Sequence, residues 1–140
     1  MFEFLWSKKK TERAKILVID DEPNIVQTLQ DRLEMNDYRV VTASNGREGL
    51  EMAMTERPDI ILLDVIMPIM DGHEMLEHLR KTDEGRDVAV IMLTARSQNQ
   101  DIARANACGI EDYIVKPFDL SELLEKIEGI LEHKKVADRV

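Results

Sequence analysis

Three observations predict an α/β protein built on a parallel sheet. Short runs of branched apolar residues alternate with stretches of helical spacing, the pattern of successive βαβ units. Four of these runs finish in polar chemistry: residues 15–19 in Asp20 and Asp21, 60–63 in Asp64, 88–93 in Thr94 and 113–115 in Lys116. The third observation is the stretch Ile60-Ile61-Leu62-Leu63-Asp64-Val65-Ile66-Met67-Pro68, apolar around one carboxylate and closed by a proline, which cannot continue a strand. A strand so apolar is buried on both faces, where an ionised aspartate is costly without partners. Asp64 is therefore expected at a strand end, in company.

The elements can be justified in order. Residues 15–20 read as the first strand, and Pro23 suits the first turn of a helix running to about Asn36 with Ile25, Val26, Leu29 and Leu33 on one face. Residues 38–43 give a shorter second strand. Asn45-Gly-Arg-Glu48 has capping-box spacing and opens a helix through Leu50, Ala53 and Met54 that Arg57-Pro58 stops. After the Asp64 strand, Asp71 caps a third helix with Glu74 three residues on, its apolar face made of Met75, Leu76 and Leu79. Residues 88–93 form the fourth strand. Ser97 or Asn99 starts a polar helix that ends at Gly109, a residue suited to the left-handed position beyond a helix. Residues 111–115 give a short fifth strand, and Asp119 caps a last helix striped by Leu123, Leu124, Ile127, Ile130 and Leu131.

The chain's 140 residues suffice for one domain with one good core. With 44% hydrophobic and 34% charged residues it is too apolar for intrinsic disorder. Its 28 acidic against 19 basic residues give a net charge of -9, which argues against direct nucleic-acid binding. The single cysteine, Cys108, excludes an internal disulfide and points to a reducing, cytoplasmic compartment. Met1-Phe-Glu-Phe-Leu-Trp6 followed by Ser7-Lys-Lys-Lys10 is too short for a signal segment or a membrane span, and reads as a flexible leader.

In an open parallel sheet ligands bind beyond the carboxyl ends of the strands. Asp20, Asp21, Asp64, Thr94 and Lys116 all fall at such ends. Crowded carboxylates repel unless a cation offsets them, and oxygen donors without histidine or thiolate suit Mg²⁺. A cation, a lysine and a threonine hydroxyl together suit the oxygens of a phosphoryl group, which leaves one carboxylate as a candidate nucleophile.

Those residues, Asp20-Asp21, Asp64 with Met67-Pro68, Thr94-Ala95, and Lys116-Pro117 preceded by Tyr113, resemble the receiver domain of bacterial two-component response regulators, in its single-domain, chemotaxis-regulator-like form. The resemblance covers residues 14–134. It implies a flavodoxin-like (βα)5 doubly wound sandwich, with a five-stranded parallel sheet of order 2-1-3-4-5 and helices on both faces. It implies that Asp64 is the phospho-acceptor, attacking a phosphohistidine on a sensor histidine kinase or histidine phosphotransfer protein. Mg²⁺ or Mn²⁺ would be held by Asp21, Asp64 and the backbone carbonyl of Ile66, with Asp20 acting through water.

The resemblance also implies a switch. Lys116 would pair with the phosphoryl oxygens, and Thr94, with Ala95 beside it, would move to hydrogen-bond them. Tyr113 would turn inward behind Thr94, carrying the signal to the surface of the fourth helix, fifth strand and fifth helix. The family's Lys-Pro bond is usually cis. Ile66 and Arg96 stand at positions that tune dephosphorylation, and an apolar Ile66 cannot orient attacking water, so a persistent phospho-form is expected. A phosphoryl group adds nearly two negative charges, enough to shift a two-state equilibrium.

On this reading the protein is a signalling switch, not a turnover enzyme. Residues 1–13 are a leader, 14–134 the receiver, and 135–140 a tail after a helix ending near Lys134. Output then passes through another protein, as a terminal step or in a phosphorelay, with the receiver a monomer or weak dimer. A Mg²⁺-dependent phosphatase resembling the haloacid dehalogenases is the competing reading. It wants a second aspartate where Ile66 stands, and an acidic metal pair late in the chain. A flavin-binding reading lacks the phosphate loop after the first strand. His73 and His78, five apart on a helix, are expected to be exposed, the methionines to fill gaps in the core, and Cys108 to be a small buried hydrophobe.

Overall fold

The computed structural model describes residues 14–138; the expected leader, residues 1–13, lies outside the described residues. Five strands and five helices alternate: β1 (Lys15–Ile19), α1 (Pro23–Met35), β2 (Arg39–Ala43), α2 (Gly46–Glu56), β3 (Ile60–Leu63), α3 (Gly72–Arg80), β4 (Ala89–Thr94), α4 (Asn99–Ala107), β5 (Asp112–Val115) and α5 (Leu120–Asp138). All strand pairs are parallel and the order is β2-β1-β3-β4-β5. The doubly wound flavodoxin-like expectation therefore holds.

Alternation along the strands divides the core between two faces. Ile16, Val18, Ile60, Leu62, Ile91 and Leu93 pack against Leu29 and Leu33 of α1 and Leu123, Leu124 and Ile127 of α5. Leu17, Ile19, Ile61, Leu63, Val90 and Met92 meet Ala53 of α2, Met75, Leu76 and Leu79 of α3 and Ala105 of α4. Each such side chain removed from water contributes about 1.5–3 kcal/mol, which is why β1 beyond Lys15, all of β3, and β4 up to Thr94 are apolar.

The caps follow the expected residues with two differences. Asn45 Oδ1 accepts from the Glu48 amide at 2.9 Å, but the Glu48 carboxylate accepts from the Ser44 hydroxyl, so the box is half closed. Asp71 accepts from the Glu74 amide at 2.8 Å, and Asp119 from the amides of Ser121 and Glu122. Gln98 takes the cap position of α4 without a side-chain bond, while Gly109 beyond it adopts φ +71° as its lack of a Cβ allows. The last helix runs to Asp138, past the expected end at Lys134, because residues 132–138 contain neither glycine nor proline.

The register sets the acidic residues side by side. Ile19 pairs with Leu63, so Asp20 and Asp64 each stand one residue past their strands, with the Asp64 amide donating to the Ile19 carbonyl at 3.0 Å. Thr94 closes β4 opposite Val115, and the Lys116 amide donates to the Thr94 carbonyl at 2.8 Å.

Candidate functional site

Asp20, Asp21 and Asp64 offer carboxylate oxygens that lie within 4.8 Å of one another. The three meet where the strand order reverses between β1 and β3, the position at which such sheets bind ligands. Asp20 and Asp64 are buried while Asp21 is exposed. The Asp20 side chain accepts from the Glu22 amide at 2.9 Å, and Asp64 accepts from the Val65 amide at 2.8 Å. Lys116 reaches in from the end of β5, with Nζ 2.7 Å from Asp20 Oδ2 and 3.5 Å from Asp64 Oδ2.

Burial pushes the Asp64 carboxyl above its ordinary value, and the neighbouring Asp20 charge adds to the push. The Thr94 hydroxyl, the Lys116 ammonium and the Val65 amide act in the opposite sense without cancelling it. Burial disfavours the Lys116 ammonium, but its bond to Asp20 and the charges of Asp64, Asp20 and Glu22 outweigh that, so its pKa is raised. The site is thus short of positive charge even with the lysine in place. An all-oxygen donor set in that condition fits a hard divalent cation.

Thr94 is fully buried, and its hydroxyl oxygen accepts from the Arg96 amide at 3.2 Å. Tyr113 is half-buried against the core, and its hydroxyl donates to the Arg96 carbonyl at 2.8 Å. Ala95 and Arg96 are exposed. Ile66 is half exposed on the loop after β3, and the Lys116–Pro117 bond is cis. The candidate residues are therefore brought to one end of the sheet, with Tyr113 reaching Thr94 through the backbone of Arg96.

Three features escaped the sequence reading. Gly72 opens α3 directly behind the end of β3: its amide donates to the Val65 carbonyl at 2.9 Å, and a Cβ there would collide with the Asp64 carbonyl. Glycine next to Asp71 was the available signal. His73 is 3% exposed, not on the surface, and its Nε2 lies 3.2 Å from Asp101 Oδ1 on α4; His78 is exposed as expected. Its burial depends on a carboxylate 28 positions away, which helical spacing does not reveal. Cys108 is only half-buried, packed against the face that carries α3 and α4. A cavity of about 570 Å³ lined by Glu111, Asp112, Lys126 and Ile130 lies away from the carboxylates.

A five-stranded doubly wound sheet with a carboxylate cluster, a lysine and a threonine beyond the ends of its strands defines an α/β module with an acidic site at its ligand-binding edge. The model of the response regulator receiver domain matches residues 16–128, and the chain belongs to this family, the receiver domains of two-component systems. It is 42% identical over 123 residues to the alkaline phosphatase synthesis transcriptional regulatory protein PhoP of Bacillus subtilis, covering 88% of this chain and 50% of that protein. It is 38% identical to the DNA-binding dual master transcriptional regulator RpaA of Synechocystis, covering 84% of this chain and 48% of that one. Among solved structures it is similar to the Vibrio cholerae chemotaxis protein CheY4, at TM-score 0.79 and 33% identity, covering 85% of this chain and 99% of that one. A CheY-like receiver from Methanospirillum hungatei gives TM-score 0.81 at 32% identity, covering 89% and 98%.

The chain thus spans about half the length of the curated relatives it matches. Those relatives correct the expectation of no direct nucleic-acid contact, since they are named as transcriptional regulators and one as DNA-binding. The physical reason is plain: a net charge of -9 bounds the surface of this stretch of chain and carries no weight for proteins twice its matched length. Among the described residues, no helix is long and apolar enough to cross a membrane.

Proposed function

We propose that this receiver takes a phosphoryl group on Asp64 from a phosphohistidine of a sensor kinase or phosphotransfer protein. The observation that carries the reading is the single cluster formed by Asp20, Asp21, Asp64 and Lys116, with the fully buried Thr94 beside it. An Asp64 oxygen attacks phosphorus, the P–N bond breaks with its electron pair passing to the imidazole, and an acyl phosphate forms. Asp21, Asp64 and the Ile66 carbonyl would hold Mg²⁺, with Asp20 acting through water. When bound, Mg²⁺ offsets the carboxylate charge and that of the incoming phosphoryl oxygens.

Lys116 exchanges part of its hold on Asp20 for a phosphoryl oxygen. Thr94 turns its hydroxyl to the same group, leaving the Arg96 amide, and Tyr113 follows through the Arg96 carbonyl. The surface of α4, β5 and α5 then changes, and the output element or protein that reads it responds. Transcription control of the kind named for the relatives is one such output. Ile66 offers no polar group to align water, which prolongs the phospho-form. Each phosphoryl group is received once and lost by hydrolysis, so the module is a switch working in the cytoplasm, where its donor is charged. Incubation with a phosphorylated histidine phosphotransfer protein tests the reading: one phosphoryl group moves per chain, and none moves to Asp64→Asn. Transfer undiminished in Asp64→Asn overturns it.

A further inference from the structure

The first helix after the acceptor and the helix after the threonine loop are joined by a buried ionisable pair that the phosphoryl-transfer reading does not use. His73 is the second residue of α3 and Asp101 the third of α4; they are 3% and 8% exposed. A second link between the bodies of these helices, Arg104 with Glu77 at 2.8 Å and 2.9 Å, is exposed and screened by water, and Arg80 ties α3 to the Cys108 carbonyl at the far end of α4. His73 follows Gly72, whose amide is tied to the Val65 carbonyl next to the acceptor. One end of the pair is therefore anchored to the acceptor strand.

The other end pulls on the threonine loop. Asp101 Oδ1 faces His73 Nε2, but Asp101 Oδ2 is buried with no hydrogen-bond partner. The cation facing that oxygen is Arg96, whose guanidinium stands 3.9 Å away, beyond hydrogen-bond reach and within ion-pair range. A buried carboxylate oxygen without a donor is costly, and the half-exposed Arg96 guanidinium is placed to offset its charge. Arg96 is also where the switch residues meet. Its amide donates to the Thr94 hydroxyl oxygen and its carbonyl accepts from the Tyr113 hydroxyl. Whatever fixes Arg96 fixes both.

We propose that His73 and Asp101 are positioning residues: a latch that holds Arg96, and through it sets how readily Thr94 is released to a phosphoryl group on Asp64. This rests on the phospho-acceptor reading above. His73 holds the Asp101 carboxylate in place, and Asp101 holds the guanidinium, so the unphosphorylated arrangement is favoured. Removing the Asp101 charge frees the loop and speeds phosphorylation.

The test is a double-mutant cycle on the rate of labelling by acetyl phosphate with Mg²⁺, using wild type, Asp101→Asn, Arg96→Ala and the double variant. Asp101→Asn is expected to label about fivefold faster than wild type, a modest coupling between sites. That gain should vanish in the Arg96→Ala background, whereas a pair that merely packs α3 on α4 would act alike in both. Equal rates for Asp101→Asn and wild type, or the same gain in both backgrounds, overturn the latch. His73→Leu, which removes the support of Asp101 without touching the carboxylate, carries the same test should Asp101→Asn fail to fold. A wild type that takes no label overturns the phospho-acceptor reading, and the latch with it.

Discussion

Lys116 Nζ is bonded to Asp20 at 2.7 Å and stands farther, at 3.5 Å, from Asp64. The ammonium is thus held by one carboxylate of the acidic cluster, close enough to Asp64 to be transferred to it. Both side chains of the Lys116–Asp20 pair are nearly buried, so breaking the pair leaves charge without compensation. Lys116→Met should lower unfolding free energy by about 3 kcal/mol in urea titrations with EDTA, the cost of orphaning a buried charge. Mg²⁺ should restore part of it, because it offsets the same carboxylates. A variant as stable as wild type without metal would refute this.

The Asp64 carboxyl gives a stability signature in pH. Its pKa is raised in the fold from an unfolded value near 3.8, so the folded chain binds the proton more tightly. The contribution is fully present below that value and is lost as pH rises through the folded pKa. In EDTA, Asp64→Asn should be more stable than wild type near neutrality, and the gap should close as pH falls toward 3.8. A gap that widens on acidification contradicts the charge argument.

Ile66 and Ile69 make separate predictions on one loop. Ile66→Asn should hydrolyse the phospho-form about tenfold faster, since a side-chain amide can align water where an alkyl group cannot. An unchanged decay of the phosphorylated species speaks against that role.

Ile69 has φ +70° and is 76% exposed. A β-branched residue in the left-handed region is strained, and this one buries little in return. Ile69→Asn should raise stability by about 1 kcal/mol by thermal or chemical unfolding. A loss of stability would show that the side chain contributes more than its exposure suggests.

Arg80 ties α3 to the chain around it. Its guanidinium donates to the carbonyls of Gly85, Val88, Cys108 and Gly109 at 2.8–2.9 Å. Arg80→Ala should cost about 3 kcal/mol, and Arg80→Lys should recover little, because an ammonium cannot reproduce a planar fork. Full rescue by lysine would mean that charge alone matters there.

The fold was legible because the central strands are apolar from Ile16 to Ile19, Ile60 to Leu63, and Ala89 to Leu93, and because several helices carry a stripe and a cap of their own, as with Asp71 and Met75, Leu76 and Leu79. Asp20, Asp64, Thr94 and Lys116 were legible because each breaks an apolar run where that run ends. What stayed hidden depends on partners distant in sequence. His73 looks like any polar helical residue until Asp101 is brought to it, and the four carbonyls that Arg80 binds carry no side-chain signature. The preference of Lys116 for Asp20 over Asp64 is likewise set by the register of β1, β3, β4 and β5, not by local spacing. The acidic balance was legible and misled, because it describes these 140 residues and not the longer relatives that are named as transcriptional regulators.

The most direct test of the account is intact mass after incubation with Mg²⁺ and acetyl phosphate, for wild type and Asp64→Asn. The account predicts a single base-labile phosphoryl adduct on wild type, absent from the variant and absent when EDTA is present. A wild type that gains no adduct, or an adduct that survives in Asp64→Asn, would contradict it.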